Sequence, residues 1–254
     1  MKRQHFIIAF SIILLTLSGT LSAAPKPSPN LPKVIFFDVN ETLLNLGNVG
    51  KSISNALGGR SDLVPLWFRT LLHYSLVSNV TGDYHHFGEI GVAALKMVAQ
   101  QHNIPLTDEQ AAKAVKTPFR DLAPHNDVIE GLKIIKTLDV KMITLTNSSD
   151  AGIAAQLKNA DLTTYFDGSL TVQQLQTFKP DLRVYHWATE QMQIKPEEAM
   201  LIAAHAWDIA GADKAGWQTA FIQRPGKATY PLADKPDLTG NTLIEIANQL
   251  KAMQ

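Results

Sequence analysis

Residues 34–46 read Val34-Ile35-Phe36-Phe37-Asp38-Val39-Asn40-Glu41-Thr42-Leu43-Leu44-Asn45-Leu46. Four apolar residues run straight into Asp38, and the chain then turns polar. A short apolar run bounded by polar residues suits a strand buried on both faces, as in a parallel sheet. Asp38 then sits at the carboxyl end of that strand, where open α/β sheets place their ligands. A carboxylate there can act as a nucleophile and form a covalent ester with substrate. The same pattern also suits an aspartate that caps a turn, so its meaning depends on what other segments bring to the same edge.

From residue 124 onward, helical and strand patterns alternate. A helix near Asp127 to Leu138 leads to the apolar strand Lys141 to Asn147, and a helix follows near Ala151 to Asn159. Tyr165 to Val172 reads as a short strand, Pro180 to Gln193 as a helix and Ala199 to Ala204 as a strand. Trp207 to Ala215 reads as a helix, Thr219 to Gln223 as a strand and Thr242 to Met253 as a closing helix. Strands alternating with helices predict an α/β fold with a doubly wound parallel sheet.

Residues 47–120 differ. Ser61 to Ser78 carries Leu63, Leu66, Trp67, Leu71, Tyr74 and Leu76 at helical spacing, with Ser61-Asp62 as a candidate cap. Glu89 to Gln101 repeats Ile90, Ala93, Ala94, Met97 and Val98 as one apolar stripe. Thr107 and Gln110 have the spacing of a capping box. Nothing here reads as a strand, so 47–120 is expected to be a helical cap inserted into a core made of 33–46 and 121–254. Gly47, Gly50, Gly58 and Gly59 form no phosphate-binding pattern and suit hinges for cap movement.

The amino terminus has the pattern of a secretory signal peptide: Lys2 and Arg3, then the apolar run Phe6 to Leu17, then small residues to Ala24. Cleavage is expected after Ala23, which places the protein in the periplasm or outside the cell with no stable membrane anchor. Pro25 to Pro32 carries four prolines in eight residues and reads as an extended tether over 24–32. Lysine plus arginine equals aspartate plus glutamate, 23 each, so no global field favours nucleic acid or an anionic membrane. The chain has no cysteine, which excludes disulfides, thiolate metal sites and a cysteine nucleophile.

Four polar segments fall at predicted strand ends: Asp38, Thr146-Asn147-Ser148, Lys179, and His205 to Asp208. Asp38 supplies an oxygen nucleophile, and Thr146 and Asn147 can donate to an anion. Lys179 can hold carboxylates together, and Asp208 can orient Lys179 or activate a water. His205 is tunable near neutrality, and Trp207 suits either stacking on substrate or packing behind Asp208. Trp67, Phe68 and Leu71 suit either an apolar substrate wall or plain cap core. His85-His86 has no acid within the pair and suits a surface or cap–core contact better than a metal site.

The order Asp38-x-x-x-Thr42-Leu43, Thr146-Asn147, Lys179-Pro180 and Asp208 resembles the haloacid dehalogenase superfamily over nearly all of 33–226. Phe178-Lys179-Pro180-Asp181 followed by Val184-Tyr185, with Ala206-Trp207-Asp208, is similar to its type II branch, the (S)-2-haloacid dehalogenases. The resemblance implies a Rossmann-like core and a metal-free, cofactor-free reaction. Asp38 would displace halide from C2 of a small (S)-2-haloacid, and water would release the (R)-2-hydroxy acid. Lys179 would stabilise Asp38, and Thr42, Thr146 and Asn147 would contact that carboxylate or the substrate. Asn147 matches the halide-side asparagine, Tyr185 the tyrosine near the lysine, and Asp208 the aspartate that activates water. Family habit also implies a homodimer.

Asn40 stands where superfamily phosphatases carry an aspartate that protonates a leaving alkoxide, and asparagine supplies no proton at neutral pH. A halide leaving group needs none. The register of the cap helix places Phe68 where dehalogenases of this type carry a halide-attracting arginine, with Arg69 one residue later. One residue turns a helix by about 100°, which points Arg69 elsewhere. Ala203-Ala204-His205 replaces the family's Ser-Ser-Asn. Two rival readings remain: a Mg²⁺-dependent phosphatase on the same fold, which Asn40 disfavours, and an exported binding protein without turnover, which Phe68 and Ala203-Ala204 would suit.

Overall fold

The computed structural model describes residues 29–254. The expected signal segment, its cleavage site and residues 24–28 of the tether lie outside the described residues. Six strands form one parallel sheet: β1 (Val34–Phe37), β2 (Lys141–Thr146), β3 (Gly168–Thr171), β4 (Ala199–Ala203), β5 (Gln218–Ile222) and β6 (Leu238–Gly240). Their order is β3-β2-β1-β4-β5-β6. The central strand β1 is buried throughout, which is why its sequence is uniformly apolar rather than alternating.

Register brings the strand ends together. Phe37 pairs with Thr144 of β2 and with Ile202 of β4. The residues that follow these strands, Asp38, Asn147 and Ala204-His205, therefore emerge at one edge, with the Asp38 amide donating to the Ile202 carbonyl at 3.0 Å. Aromatic packing makes the floor rigid. Phe36 stacks on Trp217 at 4.5 Å, and Tyr185 meets Trp217 edge-on at 5.4 Å.

Four helices, α1 (Gly47–Ala56), α2 (Val64–Thr81), α3 (Phe87–Gln101) and α4 (Asp108–Lys116), lie between β1 and α5 (Val128–Ile135). The rest alternate with strands: α6 (Asp150–Asn159), α7 (Leu182–Met192), α8 (Ala206–Lys214) and α9 (Leu243–Lys251). The expected capping box opens α4: Thr107 Oγ1 accepts from the Gln110 amide at 3.2 Å, and Gln110 Oε1 accepts from the Thr107 amide at 2.9 Å.

Several expectations need correction. Gly47 and Gly50 are not hinges but part of α1, a helix the sequence reading left out, held by buried Val49 and Ile53. Gly58 and Gly59 do occupy left-handed backbone, φ +68° and +86°, in the turn after it. Ser61-Asp62 does not cap α2: Asp62 is taken by Arg60 at 2.7 Å, and the chain enters α2 through one 3₁₀ turn followed by Pro65. Strand β3 is shorter than expected, and β6 was not anticipated. His86 stands at the start of α3, where its amide donates to Glu89 at 3.0 Å, while exposed His85 lies 3.5 Å from Asp83.

Candidate active site

Asp38 is buried, 5 % exposed, and its carboxylate accepts three hydrogen bonds. Its Oδ1 accepts from Lys179 Nζ at 3.0 Å. Its Oδ2 accepts from Thr42 Oγ1 at 2.6 Å and from His205 Nδ1 at 3.0 Å. Thr42 is set in turn by the Ala204 amide, which donates to its hydroxyl at 2.9 Å. Thr42 lies four residues after the nucleophile because the chain doubles back at once: the amides of Leu43 and Leu44 both donate to the Val39 carbonyl.

Lys179 is fully enclosed. Beyond Asp38, its Nζ donates to Asp208 Oδ2 at 2.5 Å and to the Leu145 carbonyl at 2.8 Å, which satisfies all three protons of the ammonium. Its backbone amide donates to Asn147 Oδ1 at 2.9 Å. Asp208 Oδ1 accepts from the Tyr185 hydroxyl at 2.6 Å.

The two carboxylates share one ammonium yet are pushed apart. Burial alone raises Asp38, but the Lys179 charge, His205 and Thr42 more than reverse it and hold the group well below the usual carboxylate range. Burial is also the largest influence on Asp208. There it prevails, with the like charge of Asp38 adding to it against Lys179, and the group is raised. The asymmetry has a plain cause. Asp38 meets a second cation, whereas the other oxygen of Asp208 meets a phenol. Burial and the Asp208 charge keep that phenol protonated. Such divergence separates a nucleophile that stays ionised from a stronger base.

His205 sits between two carboxylates, with Nδ1 on Asp38 and Nε2 on Glu41 Oε2 at 2.9 Å. Burial pulls its pKa down, but the bonds to Asp38 and Glu41 outweigh burial and raise it to about 9. Trp207 stacks on this ring at 5.0 Å and 22°, which decides its role: it packs on His205. Glu41 also accepts from Lys227 Nζ at 2.7 Å, and burial fails to offset these two cations, so it too is lowered.

The structure brings Asp38, Thr42, Lys179, Tyr185, His205 and Asp208 into one bonded network. Asn147 joins it through the Lys179 backbone and not through the Asp38 carboxylate. The Thr146 hydroxyl instead accepts from the Ser148 amide at 3.1 Å. Asn40 is pinned on both sides: it donates to Ser148 Oγ at 3.2 Å and accepts from Gln156 Nε2 at 3.0 Å. A cleft of about 530 Å³ opens beside Glu41, walled by Trp67, Phe68, Arg69, His125 and Lys227. Phe68 is half-buried there, with Lys227 Nζ 5.8 Å from its ring centre, and Arg69 is exposed. Leu71 is buried cap core, and the Trp67 indole is anchored to the Gly91 carbonyl at 2.9 Å.

Sequence reasoning missed Glu41, Lys227 and Arg224. Arg224 is buried, donates twice to the Thr42 carbonyl at 2.9 and 3.1 Å, and binds Asp127 at 2.7 Å. Arg224 follows β5 by two residues, at the carboxyl edge that also delivers Asp38, and that position is its signal in the sequence. Glu41 carried a weaker signal, a charged residue inside a tight polar turn.

The haloacid dehalogenase-like hydrolase family matches residues 35–222. The chain is 26% identical over 215 residues to an (S)-2-haloacid dehalogenase of Pseudomonas fluorescens, covering 84% of this chain and 94% of that protein. It is 28% identical over 206 residues to an (S)-2-haloacid dehalogenase of Pseudomonas sp. strain YL, covering 81% and 88%. The fold superposes with a TM-score of 0.78 on an L-2-haloacid dehalogenase of Xanthobacter autotrophicus with chloropropionic acid covalently bound, at 22% identity over 88% of this chain and all of that one. The chain belongs to the haloacid dehalogenase-like hydrolases.

Proposed function

We propose that this hydrolase cleaves the carbon–halogen bond of small (S)-2-haloalkanoic acids through an ester on Asp38, releasing halide and the (R)-2-hydroxy acid. The observation that carries this reading is the Asp38 carboxylate, clamped by Lys179, Thr42 and His205 and held ionised in a buried site. The dehalogenase activity named for the relatives supports it, as does the covalent chloropropionic acid in the Xanthobacter protein.

Asp38 attacks C2 from the side opposite the halogen, and halide leaves with the bonding electrons. Halide leaves as a stable anion, so no acid is needed at that step. The Asn40 amide, committed to Ser148 and Gln156, fits a reaction with no proton donor at its position. Asp208, raised by burial, then takes a proton from the water that attacks the ester carbonyl. Residues 47–120 act as the cap, and the cleft between Phe68, Arg69, Glu41 and Lys227 admits the substrate. The signal-peptide pattern of residues 1–23 supports a site of action outside the cytoplasm, which cell fractionation tests.

The phosphatase rival fares worse on the donor set. Mg²⁺ takes carboxylate and water oxygens. Here residue 40 is an asparagine committed to Ser148 and Gln156, and residues 203–208 offer a single acid, so this donor set does not suit a divalent cation. The test is halide release from (S)-2-chloropropionate and from bromoacetate, with and without EDTA. Release that survives EDTA and vanishes in Asp38→Asn supports the proposal. Aryl phosphate cleavage without halide release would replace it.

A further inference from the structure

We infer that His205 is a catalytic acid of the second half-reaction, delivering its Nδ1 proton to the oxygen of the departing 2-hydroxy acid, with Glu41 as the residue that keeps it charged and aimed. The inference rests on the ester mechanism proposed above and adds a proton source that mechanism lacks. Halide departs without a proton, but the second leaving group does not. It is the alkoxide of a hydroxy acid, a far stronger base.

Geometry fixes the charge of the imidazole. Nδ1 faces Asp38 Oδ2 at 3.0 Å and Nε2 faces Glu41 Oε2 at 2.9 Å. Ionised carboxylates only accept, so both ring nitrogens carry a proton and the ring is a cation. The Trp207 face stacked at 5.0 Å favours the same state. The charged groups around it are Asp38 and Glu41 in direct contact, then Lys179, Asp208 and Lys227, each bonded to one of those two. Glu41 adopts φ +62°, a left-handed conformation disfavoured for a residue with a side chain, and from there it reaches His205.

The step balances. Attack through Oδ2 uses the lone pair that Nδ1 holds in the free enzyme and makes that atom the ester oxygen, while Oδ1, on the Lys179 side, becomes the carbonyl. Water adds to the Asp38 carbonyl carbon as Asp208 takes one of its protons, and the carbonyl electron pair moves to the oxygen beside Lys179. As the intermediate collapses, the bond from carbon to the ester oxygen breaks. That oxygen leaves with the electron pair and takes the Nδ1 proton, giving the neutral hydroxyl of the product. The new Asp38 carboxylic acid, whose hydroxyl came from water, returns its remaining proton to His205. Asp208 releases the other to solvent. His205 ends as it began.

The test is a single-turnover reaction with (S)-2-chloropropionate, following chloride, lactate and the intact mass of the protein. In His205→Asn, lactate formation slows about 100-fold more than chloride release, the usual contribution of a positioned acid, and the ester on Asp38 accumulates as added mass. In the native enzyme lactate formation has an alkaline limb where His205 loses its proton, below the free enzyme's value of about 9 because the ester removes the Asp38 charge that helps raise it. That decline is absent in His205→Asn and shifted to lower pH in Glu41→Gln. Equal loss of chloride and lactate, or lactate keeping pace with chloride in His205→Asn, overturns the inference. Should His205→Asn fail to fold, by circular dichroism, Glu41→Gln decides alone: an unshifted alkaline limb overturns it. Absence of chloride from the native enzyme refutes the dehalogenase reading itself, a separate outcome.

Discussion

Lys179 Nζ lies closer to Asp208 than to Asp38, 2.5 against 3.0 Å, and touches no water-facing group. One buried ammonium thus bridges two buried carboxylates, and His205 meets Asp38 as a second cation. Removing one partner of such a cluster leaves uncompensated charge, which is more damaging than never having built it. Lys179→Met is expected to lose about 3–5 kcal/mol of stability in urea unfolding, along with all halide release. Asp208→Asn in that background should recover part of the stability and none of the activity. A stable, fully active Lys179→Met would contradict the arrangement.

Stability should respond to pH through His205. Its pKa rises from 6.5 to about 9 on folding, because two carboxylates outweigh burial. A raised group adds stability that is complete below its unfolded value and is lost as pH climbs through its folded one. The window is therefore pH 6.5 to about 9. By linkage the loss over that window is about 3 kcal/mol. Urea midpoints measured across the window should fall for the native protein and stay flatter for His205→Asn. Asp38, shifted downward, contributes its own loss only in strong acid.

The parts of this architecture that were legible in advance share one property. Val34 to Phe37 and Ala199 to Ala203 are buried on both faces, so burial forced an unbroken apolar run that periodicity exposes. Asp38 and Asp208 followed from the rule that parallel strands deliver their ends to one edge, whereas Lys179 lies eight residues beyond β3, after a 3₁₀ turn, and was marked by the Phe178-Lys179-Pro180-Asp181 motif. The misses share another property. Strand β6 is three residues long and its middle residue, Thr239, is exposed, leaving no pattern to detect. Helix α1 opens with Gly47 and holds Gly50, residues that ordinarily signal a break. Glu41 and Lys227 matter through a pairing 186 residues apart in sequence, which only the fold reveals.

Glu41 separates backbone strain from charge. At φ +62° the left-handed region disfavours any residue with a Cβ. Glu41→Gly and Glu41→Gln both delete the carboxylate that meets His205 and Lys227, but only glycine relieves the backbone. Glu41→Gly is expected to be about 1 kcal/mol more stable than Glu41→Gln in urea unfolding. Both should fall below the native protein in ester hydrolysis. Equal stability of the two variants would mean that the turn is unstrained.

Gly211 is a remote position through which the site can be disturbed. It lies on α8 three residues after Asp208, and a Cβ there would come within 2.5 Å of the Tyr185 hydroxyl and 2.7 Å of Pro180 Cβ. Tyr185 is wedged against Trp217 and cannot retreat without breaking that contact. Gly211→Ala should therefore push the phenol off Asp208 Oδ1, at an overpacking cost of about 1–3 kcal/mol. Asp208 then loses a donor that favours its ionised form, so its pKa rises further and the acid limb of lactate formation moves to higher pH. Chloride release in a single turnover, which depends on Asp38, should be far less affected. A variant whose pH profile and stability match the native protein would show that helix α8 has room to shift, and that Tyr185 does not set the base.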